Sequence, residues 1–240
     1  MAFDGIVIAN LVKDLNDKIV SGRISKIAQP EKDELLLTIK GNRENFRLLI
    51  SANASLPLLY FTETNKPSPL TAPNFCMLLR KHIANGRIVS VSQPGLERIV
   101  RIEIEHLDEM GDLKRKFLIV ELMGKHSNII FCDDENKILD SIKHISAQVS
   151  SVREVLPGRE YFIPHAGEKK DPLTITEEEF KELIGKTPQN LSKALYTDLT
   201  GLSPTVSAEL CHLASLDGDI SAKDFSDSEL THLYHAFTWI

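Results

Sequence analysis

An acidic and a basic residue, Glu97 and Arg98, stand side by side in the stretch Gln93-Pro-Gly-Leu-Glu-Arg-Ile99. Proline followed by glycine marks a tight turn, and the apolar alternation after it marks the start of a strand. A carboxylate and a guanidinium held at such a point can bind a polar partner through charge and hydrogen bonds. Acid and base neighbours on a strand also point to opposite faces, however, and a solvated surface pair is the alternative interpretation.

A second polar group follows Glu121 in the stretch Glu121-Leu-Met-Gly-Lys-His-Ser-Asn128. Gly124 interrupts a strong strand pattern, which predicts a bulge or the close approach of another backbone. The next four residues carry groups suited to phosphates or base edges, namely Lys125, His126, Ser127 and Asn128. A polar hairpin corner remains the alternative.

A basic pair, Arg80 and Lys81, lies in a predicted helix from Asn74 to Ala84, whose apolar residues recur at helical spacing. The pair predicts a basic face for nucleic acid, and a core helix with solvated bases is the other interpretation. Asn85-Gly86 predicts a left-handed end to this helix.

The elements that must position these residues indicate an α+β fold. An amphipathic helix is predicted from Asp4, as N-cap, to Val20, with Gly22 just past its end. Two antiparallel meanders are predicted from period-two alternation. Their strands lie at 23–27, 34–40 and 45–51, and then from 87 through 99–106, 116–123, 127–132 and 137–144. Between the meanders, four prolines at 57–73 predict a stretch without regular structure.

The composition changes near residue 172, which predicts two domains, 1–172 and 173–240. Residues 173–240 hold 11 acids and 4 bases, a net charge of −7, whereas residues 1–172 hold 23 acids and 24 bases, a net charge of +1. Capping boxes at Thr176/Glu179 and Ser226/Glu229 predict helices. The stretch 199–210, with Ser203 as N-cap, resembles a helix-hairpin-helix whose second helix can bind a phosphate, although a plain αα-hairpin fits too.

Composition and motifs exclude several function classes. The chain has 42% apolar and 26% charged residues and no apolar run long enough to cross a membrane. We therefore expect a cytoplasmic protein that does not associate with membranes. Its three cysteines lie far apart, as expected for reduced, partly buried thiols. No nucleophile signature or clustered metal ligands occur, so we expect no enzyme activity, no cofactor and no metal.

Five stretches together resemble the N-terminal region of the NFACT family. They are 1–15, 73–87, 93–98, 121–130 and 152–161. Each is weak alone, but their order and spacing over residues 1 to about 165 are specific. The segment from about 174 to 240 is similar to the helix-hairpin-helix module of that family. The resemblance implies an antiparallel β-rich domain with flanking helices, related to the N-terminal domain of formamidopyrimidine-DNA glycosylases, followed by an all-α module.

The resemblance also implies a role in ribosome quality control. Family members bind tRNA, alanyl-tRNA in the bacterial branch, and a large ribosomal subunit obstructed by peptidyl-tRNA, and they extend the stalled chain without mRNA. The acid-arginine pair required for tail addition falls on Glu97 and Arg98, where glutamate departs from the commoner aspartate. Glu121 matches a position implicated in tRNA engagement.

Two other functions compete with this one. A base-excising glycosylase would attack with an N-terminal proline amine next to a glutamate, but removal of Met1 would expose Ala2 followed by Phe3, so we reject that chemistry. A surface adhesin that binds fibronectin is the other alternative, and the lack of a recognisable signal peptide is an argument against it as the main role.

Overall fold

The structure, a computed structural model, describes residues 3–41, 44–164 and 169–237. Ala2 and part of the expected Gly41-Asn42 turn therefore lie outside the described residues. The chain divides into two compact units. The first consists of Met1–Phe3, Asn10–Pro94 and Arg98–Pro164, and the second of Asp4–Ala9, Gly95–Glu97 and His165–Ile240. This division by contacts differs from the boundary expected after residue 172, which stays a prediction.

The first unit contains an antiparallel sheet with strand order β4-β3-β2-β1-β5-β6-β7-β8-β9. Its strands are β1 Arg23–Ala28, β2 Glu34–Lys40, β3 Asn45–Ser51, β4 Leu58–Phe61, β5 Arg87–Ser92, β6 Ile99–Leu107, β7 Leu113–Glu121, β8 Asn128–Asp133 and β9 Ile138–Ser141. Two meanders, β1–β4 and β5–β9, are joined by the single pairing of Arg23 with Arg87. The antiparallel β-rich architecture predicted from the alternation is thereby confirmed.

Strand β4 corrects the expectation that no regular element lies between the prolines. The four residues Leu58–Phe61 contain no proline and follow Pro57 directly, so each can donate its backbone N–H. They pair with Leu48–Ser51 of β3 and form an edge of the sheet. An edge strand tolerates a proline at its border because one side of it needs no hydrogen-bond partner.

Two helices accompany this sheet in the sequence, α1 Gly5–Ile19 and α2 Asn74–Ile83. The predicted N-cap of α1 is confirmed, since Oδ1 of Asp4 accepts a hydrogen bond from the Val7 N–H at 2.9 Å. The left-handed residue after α1 is Ser21, at φ 70°, and not the expected Gly22. The left-handed end of α2 at Asn85, at φ 62°, is as predicted.

The second unit has its own apolar core, built mainly from four helices of its described part. They are α3 Glu177–Gly185, α4 Leu191–Asp198, α5 Pro204–Leu213 and α6 Asp227–Phe237. The core includes Phe180, Leu195, Leu210 and Leu233, all essentially inaccessible to solvent. A buried side chain of this kind stabilises the fold by about 1.5–3 kcal/mol.

The ends of these helices follow the predicted capping. Both capping boxes are confirmed, with Glu179 N–H donating to the Thr176 hydroxyl at 3.2 Å and Glu229 N–H to the Ser226 hydroxyl at 3.3 Å. Ser203 caps α5 as predicted. Its hydroxyl donates to Oδ2 of Asp4 at 2.6 Å while accepting from the Val206 N–H at 3.2 Å. A carboxylate therefore already lies at this helix N-terminus, where the sequence predicted a phosphate, and phosphate binding there stays a prediction.

Candidate nucleic-acid interface

The end of the β6–β7 hairpin next to Arg98 brings two of the predicted segments together. Ile99, at the start of β6, pairs with Glu121 at the end of β7, and Glu121 pairs with Asn128 at the start of β8. One residue further on, the Leu122 N–H donates to the carbonyl oxygen of Arg98 at 2.9 Å. Arg98 and the corner Glu121–Asn128 therefore lie side by side, although 24 residues separate Arg98 from Leu122.

The Arg98 side chain is half-buried. Across residues 3–41, 44–164 and 169–237, no hydrogen bond or ion pair engages its guanidinium. A guanidinium in this state keeps five N–H donors available and stays charged at any physiological pH. Arg98 can therefore offer a charge-assisted contact to a phosphate or a base edge.

The corner between β7 and β8 is a short 3-10 turn, Gly124–His126. The expected bulge at Gly124 is absent, since β7 ends at Glu121, and the backbone that does lie near it, at the Ala54 carbonyl oxygen, would be 3.9 Å from an added Cβ, an ordinary van der Waals contact. The glycine is required for another reason, its left-handed φ of 58°. The turn presents the side chains of Lys125 and His126 to solvent.

Ser127 and Asn128 are buried beneath this turn and make internal hydrogen bonds. The Ser127 hydroxyl accepts from the Met123 N–H at 2.8 Å, and Nδ2 of Asn128 donates to the Lys143 carbonyl at 2.9 Å. The Lys143 ammonium donates to the carbonyl of Ser127 at 3.0 Å and to that of Ala52. Ser127 and Asn128 thus fix the shape of the corner, and their expected contact with RNA stays a prediction that this burial does not favour.

Glu121 lies in the interior as part of an ionic cluster. Its side chain has 0% exposure, and its partner Arg153 has 10%. One carboxylate oxygen accepts from the Arg153 guanidinium and the other from the Tyr161 hydroxyl at 2.9 Å. Burial raises the pKa of Glu121, and the charge and hydrogen bonds of Arg153 oppose that rise. With both oxygens engaged, Glu121 positions the end of β7, and its direct contact with tRNA stays a prediction.

The backbone before Glu97 is held by close contacts within the second unit. Leu96 is buried, and a Cβ added to Gly201 would lie 2.1 Å from the Leu96 carbonyl oxygen. The Gly5 N–H donates to the Gly201 carbonyl at 2.7 Å. Only glycine allows this approach, and Gly201 also has a φ of 78°. The half-buried Glu97 therefore follows a residue with a tightly constrained position.

Arg80 and Lys81 of α2 contact two different parts of the first unit. Nε of Arg80 donates to the Ile27 carbonyl in β1 at 2.9 Å. The Lys81 ammonium lies 3.8 Å from the carboxylate of Glu109, in the turn at the far end of the β6–β7 hairpin. The nine residues of β6 separate that turn from Arg98, a distance of about 30 Å at the usual rise of a strand. The structure thus joins Arg98 to the corner and places Lys81 at the opposite end of the hairpin.

Three residues that hold this region were not singled out from the sequence. Lys143 had no local signal, because its role depends on carbonyl groups 16 and 91 residues away. Arg153 and Tyr161 lie in the stretch 152–161 that carried part of the family resemblance, but their pairing with Glu121 spans 32 and 40 residues. The structural role of these three residues is therefore visible only in the folded protein.

Neither a metal centre nor a membrane span emerges from the described ranges. Their His, Cys, Asp and Glu side chains form no group of three that could hold an ion. Among the helices described, none combines the length and apolar character required to cross a bilayer.

Comparison with known proteins gives a family match over nearly the whole chain. The family model described as NFACT N-terminal and middle domains matches residues 4–240. The Rqc2 homolog RqcH of Bacillus subtilis is 39% identical over 222 residues, which is 92% of this chain and 39% of the relative. The human ribosome quality control complex subunit NEMF is 23% identical over 205 residues, covering 85% of this chain and 18% of NEMF. The chain therefore spans well under half the length of these relatives.

Solved structures agree with the fold. The N-terminal domain of the fibronectin-binding protein PavA from Streptococcus pneumoniae has a TM-score of 0.81 at 36% identity, covering 89% of this chain and 80% of that one. The fibrinogen binding protein from Staphylococcus aureus has a TM-score of 0.82 at 31% identity, and the match covers 98% of this chain and 80% of that one. A Lactococcus lactis Fpg complex reaches only 0.47 at 13% identity, so the expected relation to the glycosylase fold stays a prediction.

Proposed function

Because the chain belongs to the NFACT family, we propose that it is the N-terminal part of a ribosome quality control factor. In this proposal it binds tRNA and the obstructed large ribosomal subunit, and it supports mRNA-independent addition of alanine to the stalled chain. The names of the RqcH and NEMF relatives support the general role. The particular partners and the tailing reaction are our proposal.

One observation carries the assignment of the RNA-contacting surface. The Leu122 N–H to Arg98 carbonyl hydrogen bond places the end of the β6–β7 hairpin beside the 3-10 turn Gly124–His126. This end combines the available guanidinium of Arg98 with the exposed side chains of Lys125 and His126. We call these three residues the Arg98 surface. Cations with free donors contact phosphates well, and a neutral imidazole can also pair with a base edge.

The buried groups beneath the Arg98 surface support the proposal in a different way. Glu121, Ser127, Asn128 and Lys143 are held by internal hydrogen bonds, so the backbone that carries Lys125 and His126 has a rigid support. Preorganised donors lose less conformational entropy on binding than donors on a flexible loop. This favours recognition of a defined RNA feature over general attraction to phosphate.

Sequencing of the RNA that copurifies with the protein tests this proposal. We expect tRNA, enriched for alanine tRNA, together with large-subunit rRNA. An Arg98→Ala variant should lose the tRNA and keep its fold, while a variant at the exposed Lys13 of α1 should behave like the wild type. Recovery of total cellular RNA without enrichment, in wild type and variant alike, would contradict the proposal.

Binding to an extracellular matrix protein is a second candidate, favoured by the names of solved relatives. PavA is described as fibronectin-binding and the S. aureus protein as fibrinogen binding. Surface plasmon resonance on immobilised fibronectin tests this candidate. Saturable binding that survives the Arg98→Ala substitution would assign it to a surface other than the one proposed for RNA, and absence of saturable binding would reject it.

A further inference from the structure

A cavity lies in the first unit at the junction of the two meanders. Its volume is about 360 Å³, and its wall includes Arg23 of β1 and Arg87 of β5. Cavities that bind small molecules usually measure about 300–1,000 Å³. The cavity is therefore large enough for a ligand of the size of a single nucleotide.

The two arginines are direct partners in the pairing of β1 with β5. Like charges directly opposite each other on neighbouring strands are destabilising unless another charge compensates them. Backbone hydrogen bonds flank this pair, from the Ile24 N–H to the Gly86 carbonyl and from the Ile88 N–H to the Gly22 carbonyl, both at 2.9 Å. The fold thus places two arginines opposite each other at the point where its two meanders meet.

One carboxylate, Glu105, lines the cavity, but cations on both sides compensate it. The Arg87 guanidinium lies 2.5 Å from one carboxylate oxygen, and the guanidinium of Arg115 lies 3.4 Å from the other. The Glu105 side chain has only 8% exposure. Its charge is therefore already neutralised from within the protein.

Arg23 has no such partner. Its Nη1 donates to the carbonyl oxygen of Asn85 at 3.0 Å, and no carboxylate forms an ion pair with it in residues 3–41, 44–164 and 169–237. Most of its five N–H donors remain available. The cavity wall accordingly carries one uncompensated positive charge with donors in a fork geometry that suits phosphate.

The rest of the wall includes the polar Asn85 and two large apolar side chains. Leu107 and Leu113 line the cavity and are 68% and 62% exposed, which is unusual for large apolar side chains. His106 lies between Glu105 and Leu107 in β6, so strand alternation turns its ring to the opposite face of the sheet, away from their side chains.

We propose that this cavity binds one nucleotide unit, with its phosphate on Arg23 and Arg87 and its base against Leu107 and Leu113. The unit is either a free nucleoside monophosphate or one residue of a single-stranded RNA, since both present the same phosphate and base. The cavity lies at the end of β6 opposite Arg98, because its lining residues Leu107 and Leu113 flank the turn at the far end of the hairpin. The inference is therefore independent of the proposed function of the Arg98 surface.

Titration of the isotope-labelled 240-residue chain by NMR tests the proposal. The probes are adenosine 5′-monophosphate, adenosine, inorganic phosphate and a pentameric RNA, each up to about 10 mM, where sites of millimolar affinity are detected. We expect the monophosphate to shift the amide signals of Gly86 and Leu107, with adenosine and inorganic phosphate binding more weakly. If the pentameric RNA binds more tightly than the monophosphate, the natural ligand is a residue of an RNA strand. If the monophosphate binds more tightly, the natural ligand is a free nucleotide.

Two variants make the result specific to the cavity. Arg23→Gln removes only one bond to a backbone carbonyl, so it should preserve the fold and raise the dissociation constant about tenfold, as loss of one charge-assisted contact does. Arg47→Gln is the matched control, because Nη1 of Arg47 also donates to a backbone carbonyl, that of Glu63, at 3.0 Å. Absence of shifts with every probe, or equal affinity in wild type and Arg23→Gln, would overturn the proposal. If inorganic phosphate bound as tightly as adenosine 5′-monophosphate, the proposed contact with the base would be overturned.

Discussion

The backbone N–H of Leu122 donates a hydrogen bond to the carbonyl oxygen of Arg98 at 2.9 Å, one residue beyond the Ile99–Glu121 pair that ends the β6–β7 ladder. This bond connects the turn that carries Arg98 with the corner that carries Lys125 and His126. Because both segments are fixed to the same strand pair, their backbones hold a constant relative position. The proposed RNA contact depends on that position.

The buried Glu121–Arg153 pair should be required for stability. Replacing Arg153 with Met leaves a buried carboxylate without its partner, which costs about 3–5 kcal/mol. The exposed pair of Arg159 with Glu154 offers a matched control in the same segment, and Arg159→Met should cost at most about 1 kcal/mol. Urea denaturation of both variants measures the difference, and equal midpoints would contradict a structural role for Arg153.

The Arg153→Met variant should also show a distinct pH dependence. Burial raises the pKa of Glu121 above its ordinary value of 4.5, and loss of Arg153 removes the main opposing charge. A carboxyl with a raised folded-state pKa contributes stability below its unfolded pKa and loses it as pH rises through the folded one. Relative to wild type, the variant should therefore lose stability as pH rises above the raised pKa that Glu121 has in the wild-type fold. A constant difference in unfolding free energy from pH 4 to 8 would contradict this.

Gly201 should tolerate no side chain. A Cβ there would lie 2.1 Å from the Leu96 carbonyl oxygen, so Gly201→Ala should cost clearly more than the about 1–2 kcal/mol of a left-handed alanine alone. Gly111 is the control, because its φ of 85° is also left-handed but no atom lies within 4 Å of the added Cβ. Thermal unfolding should show a larger loss for Gly201→Ala. Equal losses would mean that the Leu96 contact does not constrain the chain before Glu97.

Lys125 should contribute to RNA binding through charge. Lys125→Gln should weaken tRNA binding and reduce the slope of log affinity against log salt by about 0.7–0.9, the contribution of one phosphate contact. Lys81→Gln is the comparison, since Lys81 lies near Glu109 at the far end of the hairpin. An unchanged slope in Lys125→Gln would remove this residue from the interface. A reduced slope in the Lys81→Gln variant would show that Lys81 contacts the RNA as well.

Local patterns in the sequence sufficed for most of the elements. Strands β2 and β3 and both capping boxes lie where alternation and cap residues predicted them, because these signals act within a few residues. Strand β4 was missed because its four residues are too short for a periodic signal and lie beside prolines. Its formation depends on pairing with β3, which is a tertiary contact.

The candidate site was predictable only in part, because it also depends on contacts between residues far apart in the sequence. The sequence drew attention to Arg98 and to the corner at Lys125, but nothing local shows that Glu121 is buried against Arg153, 32 residues away. Nor does the sequence show that Lys81 lies at the other end of the hairpin from Arg98. Direction along a strand, and therefore which end of a hairpin a residue occupies, becomes visible only when the strands are paired.

The synthesis of alanine tails in cells is the decisive test of the function proposed for Glu97 and Arg98. A chimaera in which residues 1–240 replace the matching region of the Bacillus subtilis relative would be expressed in a strain without its own copy, and alanine tails on a stalled reporter would be measured. We predict tails with the wild-type chimaera and with a Lys13→Ala control, and none with the Glu97→Ala, Arg98→Ala double variant at equal protein level. Undiminished tails from the double variant would contradict the account.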